Sequence, residues 1–205
     1  MEKSTQKIVY TIGHSNHSID YFIEILKTFN ITCIIDVRSV PASAYNPQYN
    51  LEILQKALNK ENISYLHFGE EFGARHTEKE LLNPFGKVDF DKVRKTKTFL
   101  SGVERLKKGL EKGYTISLMC SEAEPFDCHR FSMISYYLAR NGFNVLHILK
   151  DKTIITNDEL EKKLLTKYVK QIPKTNLFEV FSENDQINLA YRLRNIDVAY
   201  DTINT

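Results

Sequence analysis

The chain has 205 residues, 42% apolar and 26% charged, which is enough for one α/β-sized domain with a substantial core. Lysine and arginine (28) nearly balance aspartate and glutamate (26), leaving a formal charge of +2. That balance argues against a dedicated nucleic-acid or membrane surface, and no apolar run reaches the ~18 residues of a transmembrane helix. The start, Met1-Glu2-Lys3, lacks a signal-peptide core, and three cysteines fit a reducing cytoplasm better than a disulfide framework.

Lys7–Ile12 (KIVYTI) is a β-rich run ended by Gly13-His14-Ser15. Ser18 is placed to cap a helix in which Ile19, Phe22, Ile23, Leu26 and Phe29 recur at helical spacing. Ile31–Val37 (ITCIIDV) reads as a buried strand, Val40–Asn50 as a loop, Leu51–Leu58 as a helix and Ser64–Phe68 as a third strand. Gly69–Val88 is longer than an ordinary connection, which suggests a lid or binding loop. Asp89–Glu111 is a lysine-rich helical stretch with an expected interruption at Ser101-Gly102. A fourth strand (Tyr114–Met119) leads through the loop from Cys120 to a helix, Phe131–Arg140, which Gly142 stops before a fifth strand, Asn144–Ile148. After Lys150 the pattern weakens: Asp158–Lys167 reads as a helix, and Pro173–Thr205 is polar and aperiodic, either docked or loosely ordered. Residues 1–150 thus form the expected α/β core, and 151–205 a C-terminal helix and accessory tail rather than an independent domain.

This alternation predicts an α/β fold with three layers and a mainly parallel five-stranded sheet flanked by helices, Rossmann-like in outline. The turn after the first strand has one glycine instead of G-x-G-x-x-G, so neither a dinucleotide nor another cofactor is expected. In such a sheet ligands bind at the carboxyl edge. Four strands here end in unusual polar chemistry: Gly13-His14-Ser15, Asp36-Val37-Arg38-Ser39, His67-Phe68-Gly69-Glu70 and Cys120-Ser121-Glu122. A single site at that edge is the economical reading.

Three separated motifs, TIGHS, IIDVRSVPAS and LMCSEAEPFDCHR, resemble the domain-of-unknown-function family 488 (DUF488) from about Thr11 to about Ile148, with GFNVLHI also fitting. The resemblance implies an α/β fold and a shared polar site on Gly13, His14, Asp36, Arg38, Ser39, Pro41, Cys120, Glu122, Cys128, His129 and Arg130. It implies no settled reaction.

The residues themselves divide the roles. Asp36 and Arg38, two apart on one strand, leave it on the same side and are expected to pair. Glu122 is then the better acid–base candidate, with His14 and Asp36 beside it. Cys128, at a helix start with Asp127 as candidate N-cap, is placed either as a thiolate nucleophile or as a wall of an anion site; Cys120 is the other candidate nucleophile. His129 and Arg130, adjacent on a helix, cannot both face one ligand, which makes Arg130 the better anion clamp, together with Arg38. Ser15, Ser39, Tyr45 and His129 complete the candidate binding set. Tyr45, Asn46, Tyr49, Tyr65, Phe68 and Phe72 flank the edge, placed either to stack a base or sugar or to cover the core. Seven residues separate Cys120 from Cys128, unlike the C-x₂₋₄-C of structural zinc, so no metal is expected.

The expected function is therefore an enzyme, a hydrolase or transferase, acting on an anionic nucleotide- or nucleic-acid-derived substrate. The alternatives are a non-catalytic nucleic-acid or partner-binding module and a rhodanese-like sulfur-handling protein. No membrane partner is expected.

Overall fold

The computed structural model describes residues 7–173 and 181–203. Part of the aperiodic tail, 174–180, and both chain ends lie outside them. A parallel ladder joins β3 (Ser64–His67), β2 (Cys33–Asp36), β4 (Ile116–Cys120), β1 (Lys7–Gly13) and β5 (Phe143–Ile148), in that spatial order. A sixth strand, β6 (Ile154–Thr156), pairs antiparallel with β5, so the sheet has six strands instead of five. Three residues after a turn give too short an alternation to register as a strand in the sequence.

Helices cover both faces. Along β2 and β4, Ile34 and Met119 face one way and pack with Phe22 and Leu26 of α1 (Ile19–Thr28) and Leu54 and Leu58 of α2 (Leu51–Lys60). Cys33, Ile35, Leu118 and Cys120 face the other way and pack with Phe68 and Phe72, the latter on the single turn α3 (Gly69–Phe72). Phe90 of α4 (Phe90–Val93), Phe99 and Leu106 of α5 (Lys97–Glu111) and Leu138 of α6 (Tyr136–Arg140) join the same cluster. Each fully buried side chain of this kind stabilises the fold by about 1.5–3 kcal/mol.

The lysine-rich stretch breaks at Arg94–Thr96, not at Ser101-Gly102. Thr96 caps α5 by accepting from Phe99 N at 3.1 Å. The helix runs through Gly102, where a Cβ would meet Glu71 Cβ at 2.6 Å; the glycine lets α3 lie against α5. The tail is docked. In α7 (Asn157–Tyr168), Leu160, Leu164 and Tyr168 join Phe131 and Ala190 and Tyr191 of α8 (Glu183–Val198) in a third cluster. Asn195 of α8 accepts from Phe90 N and donates to Val88 O. Among the described residues, no helix is long and apolar enough to cross a membrane.

Candidate functional site

The four strands with polar ends are neighbours, and their register aligns those ends. Gly13 lies opposite Cys120, and Asp36 opposite both Met119 and His67. The loop leaving β4 crosses the end of β1, where His14 N and Ser15 N donate to Cys120 O and Ser121 O, each at 2.9 Å. A Cβ on Gly13 would fall 1.8 Å from the Glu122 carbonyl oxygen, so only glycine admits this crossing.

One polar group spans β1 to β3. The Asp36 carboxylate accepts from Arg38 Nε at 2.9 Å, from Arg38 Nη2 at 2.6 Å and from the Tyr65 hydroxyl at 2.7 Å. Arg38 Nη2 also donates to Tyr49 O, and Nη1 lies 3.3 Å from His14 Nε2. His14 donates from Nδ1 to Ser15 O at 2.7 Å and stacks on Tyr49, with ring centroids 4.0 Å apart. Burial, with the Arg38 charge in support, lowers its pKa to about 4, so the ring is neutral and Nε2 accepts.

The second group is built by the loop and the helix start. Cys128 is extended, and its sulfur accepts from Arg130 N at 3.4 Å, the capping role that Asp127 was expected to fill. Asp127 instead pairs with Arg194 of α8. A π-helical turn, Arg130–Ser135, follows and runs into α6. Glu122 Oε2 sits 2.9 Å from Cys120 Sγ and 3.0 Å from Cys128 Sγ, while His129 Nδ1 is 3.8 Å and 3.7 Å from the same two sulfurs. The donor atoms of Cys120, Glu122, Cys128 and His129 all lie within 4.8 Å of one another.

Their protons are coupled. The hydrogen bond to Cys128, and then burial, push the Cys120 thiol far up. Burial pushes Cys128 up as well, but the Cys120 hydrogen bond and the Arg130 and His129 charges outweigh it and hold this sulfur well below the usual thiol range. Burial and the Cys128 charge raise Glu122. Burial alone would depress His129, and the Cys128 charge reverses that.

This group floors a crevice of about 480 Å³ walled by Arg38, Ser39, Ser43 and Ser121, by Arg75 from the long loop, and by Val198 and Tyr200 from the tail.

A family model described as a domain of unknown function, DUF488, matches residues 18–138, more than half of the chain. The chain belongs to the DUF488 family. The matched span contains the Asp36–Arg38 and Cys120–Arg130 motifs but stops short of TIGHS and GFNVLHI. No curated protein and no solved structure matches the chain.

Several residues of the DUF488 motifs sit differently from what spacing alone implied. Arg130 is fully buried and is not an anion clamp: Nη1 and Nη2 donate to Glu122 O at 2.6 Å and Ala123 O at 3.0 Å, fixing the loop from beneath. Asp36 and His14, 0% and 2% exposed, lie behind Arg38 and do not line the crevice, which removes them from direct acid–base work. His129 lines the crevice as part of the reactive cluster. Ser15 turns its hydroxyl to Asn16, and Tyr45, 96% exposed, lies outside the crevice lining. Tyr49, Tyr65, Phe68 and Phe72 are core residues, so no stacking platform forms from them.

Arg75, Ser43, Val198 and Tyr200 were missed. The length of the Gly69–Val88 loop was the available signal for Arg75. Nothing local marked the tail residues, because their position follows from how α8 docks.

Proposed function

We propose that this chain is an enzyme, a hydrolase or transferase, that acts on a small anionic substrate in this crevice, with Cys120, Glu122, Cys128 and His129 as its chemical centre. The observation that carries the reading is the convergence of their four reactive atoms at a crevice floor, within 4.8 Å. Three buried groups and an exposed carboxylate that perturb one another's protons in a cleft are what acid–base and nucleophilic chemistry requires.

The anionic character rests on Arg75, with the hydroxyl-bearing Ser39, Ser43 and Ser121 along the walls; the Arg38 charge is already taken by Asp36. Nucleotide-derived compounds fall within that class through their phosphates, and the buried aromatics add no base recognition. A crevice of about 480 Å³ suits a metabolite better than a nucleic-acid duplex, which favours an enzyme over a binding module.

Thermal melting of chelator-treated protein at fixed ionic strength tests the reading, with phosphate, pyrophosphate and adenosine monophosphate as probes. At least one should stabilise the fold, by about 2.7 kcal/mol at a hundredfold excess over Kd. Arg75→Ala should abolish the gain, and Lys108→Ala on the exposed face of α5 should keep it. A melting temperature unmoved by all three probes, or a gain lost equally in both variants, contradicts the proposal.

A further inference from the structure

The same four residues carry a more specific inference, which rests on reading this cluster as the site. We propose that Cys120, Cys128 and His129 Nδ1 bind a zinc ion and that Glu122 is its fourth, exchangeable ligand on the crevice side.

Donor identity comes first. Two thiols and an imidazole are soft to borderline donors that select zinc over magnesium or calcium, and one carboxylate completes four-coordination. The seven residues between the cysteines, which argued against a metal, matter only when one continuous loop must wrap the ion. Here Cys120 ends a strand and Cys128 begins a helix, so the fold sets the distance between them.

The histidine edges already fit, and the carboxylate edges are short by about half an ångström. A tetrahedron with Zn–S bonds of about 2.3 Å and Zn–N or Zn–O bonds of about 2.0 Å has S···N and S···O edges of about 3.5–3.6 Å. The two S···N separations are 3.7 and 3.8 Å. The two S···O separations, 2.9 and 3.0 Å, are hydrogen-bond lengths. An ion displaces those protons, and Glu122 then backs off by about half an ångström toward the crevice it already faces.

Two supporting features lie outside the four donors. His129 points Nε2 at Val37 O, 3.2 Å away, which puts the proton there and turns the Nδ1 lone pair to the sulfurs. A ligating histidine held by a backbone carbonyl in this way is the usual outer-shell arrangement. The second feature is charge. The Arg130 guanidinium is fully buried, bonds to two carbonyls and makes no ion pair among the described residues. Its Nε has no hydrogen-bond partner. Two thiolates, a carboxylate and Zn²⁺ sum to one negative charge, which keeps a counter-charge beside Arg130 when the ion is bound, as the Cys128 sulfur does without it.

The experiment is a cobalt and zinc titration of the full chain, stripped with chelator and kept reduced. One equivalent of Co²⁺ should bind with thiolate-to-metal charge-transfer absorption and the intense visible bands of a tetrahedral site, and one equivalent of Zn²⁺ should bleach them. Cys120→Ser and Cys128→Ser should each lose the charge-transfer intensity and weaken binding at least a hundredfold. Glu122→Gln should keep both sulfur bands with about tenfold weaker binding, and Cys33→Ala should match the parent. Binding without charge-transfer absorption, or unchanged binding in Cys128→Ser, overturns the proposal. Because the anion test uses metal-free protein, a stabilising anion with no cobalt site would retire the zinc and leave the proposed function standing.

Discussion

Two polar groups meet at the same sheet edge, and they are built on opposite principles. In the Asp36–Arg38–Tyr65–His14 group each strong donor is aimed at an acceptor of matching charge or polarity, and the backbone at Tyr49 and Ser15 takes what remains. In the Cys120–Glu122–Cys128–His129 group the reactive atoms face one another and share too few protons. Shifted protonation occurs in both, since burial holds His14 down to about 4 while the two thiols are driven apart. Saturation separates them. A completed network fixes a fold, whereas a converging set of donors is poised to take something more.

The largest expected effect tests the saturated group. Asp36→Ala strands the buried Arg38 charge and the Tyr65 hydroxyl, and should cost about 3–5 kcal/mol in denaturant unfolding. A loss under about 1 kcal/mol would mean the network is not the scaffold of this edge.

Acid sharpens the same contrast. Burial, first among the causes, lowers His14 to about 4 and His147 to about 3. His147 is enclosed by Thr11 at 2.8 Å and Asn157 at 3.4 Å. Both rings are neutral when folded and take a proton near pH 6.5 when unfolded. The unfolded state therefore binds more protons below about 6.5, and stability falls as pH drops toward the folded values. By pH 5 the expected loss is about 2 kcal/mol per histidine, read as a falling urea midpoint. Roughly half of that slope should disappear in His147→Gln. A pH 7 to 5 slope left unchanged by His147→Gln would contradict the buried-neutral assignment.

How much of this was legible in the sequence followed the range of the interactions. The five parallel strands showed as apolar runs, and the shared edge showed as four polar strand ends, because both are local signals. The Asp36–Arg38 pair was readable from a spacing of two on one strand. Arg130 was misread for the opposite reason: its guanidinium turns back beneath its own loop, toward carbonyls that a residue pattern does not reveal. The metal-ligand geometry was hidden because a strand and a helix, not loop length, set the distance from Cys120 to Cys128. Val198 and Tyr200 reach the crevice only through the docking of α8, which no short-range pattern encodes.

In the proposed function the cysteine cluster serves chemistry, while the aspartate–arginine group serves folding. The most direct test is the unfolding free energy of Cys128→Ser, measured in chelator so that no bound metal contributes, beside that of Asp36→Ala. A near-isosteric exchange in a cluster that does not hold the fold together should leave stability within about 1 kcal/mol of the parent. A loss as large as that of Asp36→Ala would show that the cluster is part of the scaffold, and the distinction drawn between the two groups would fail.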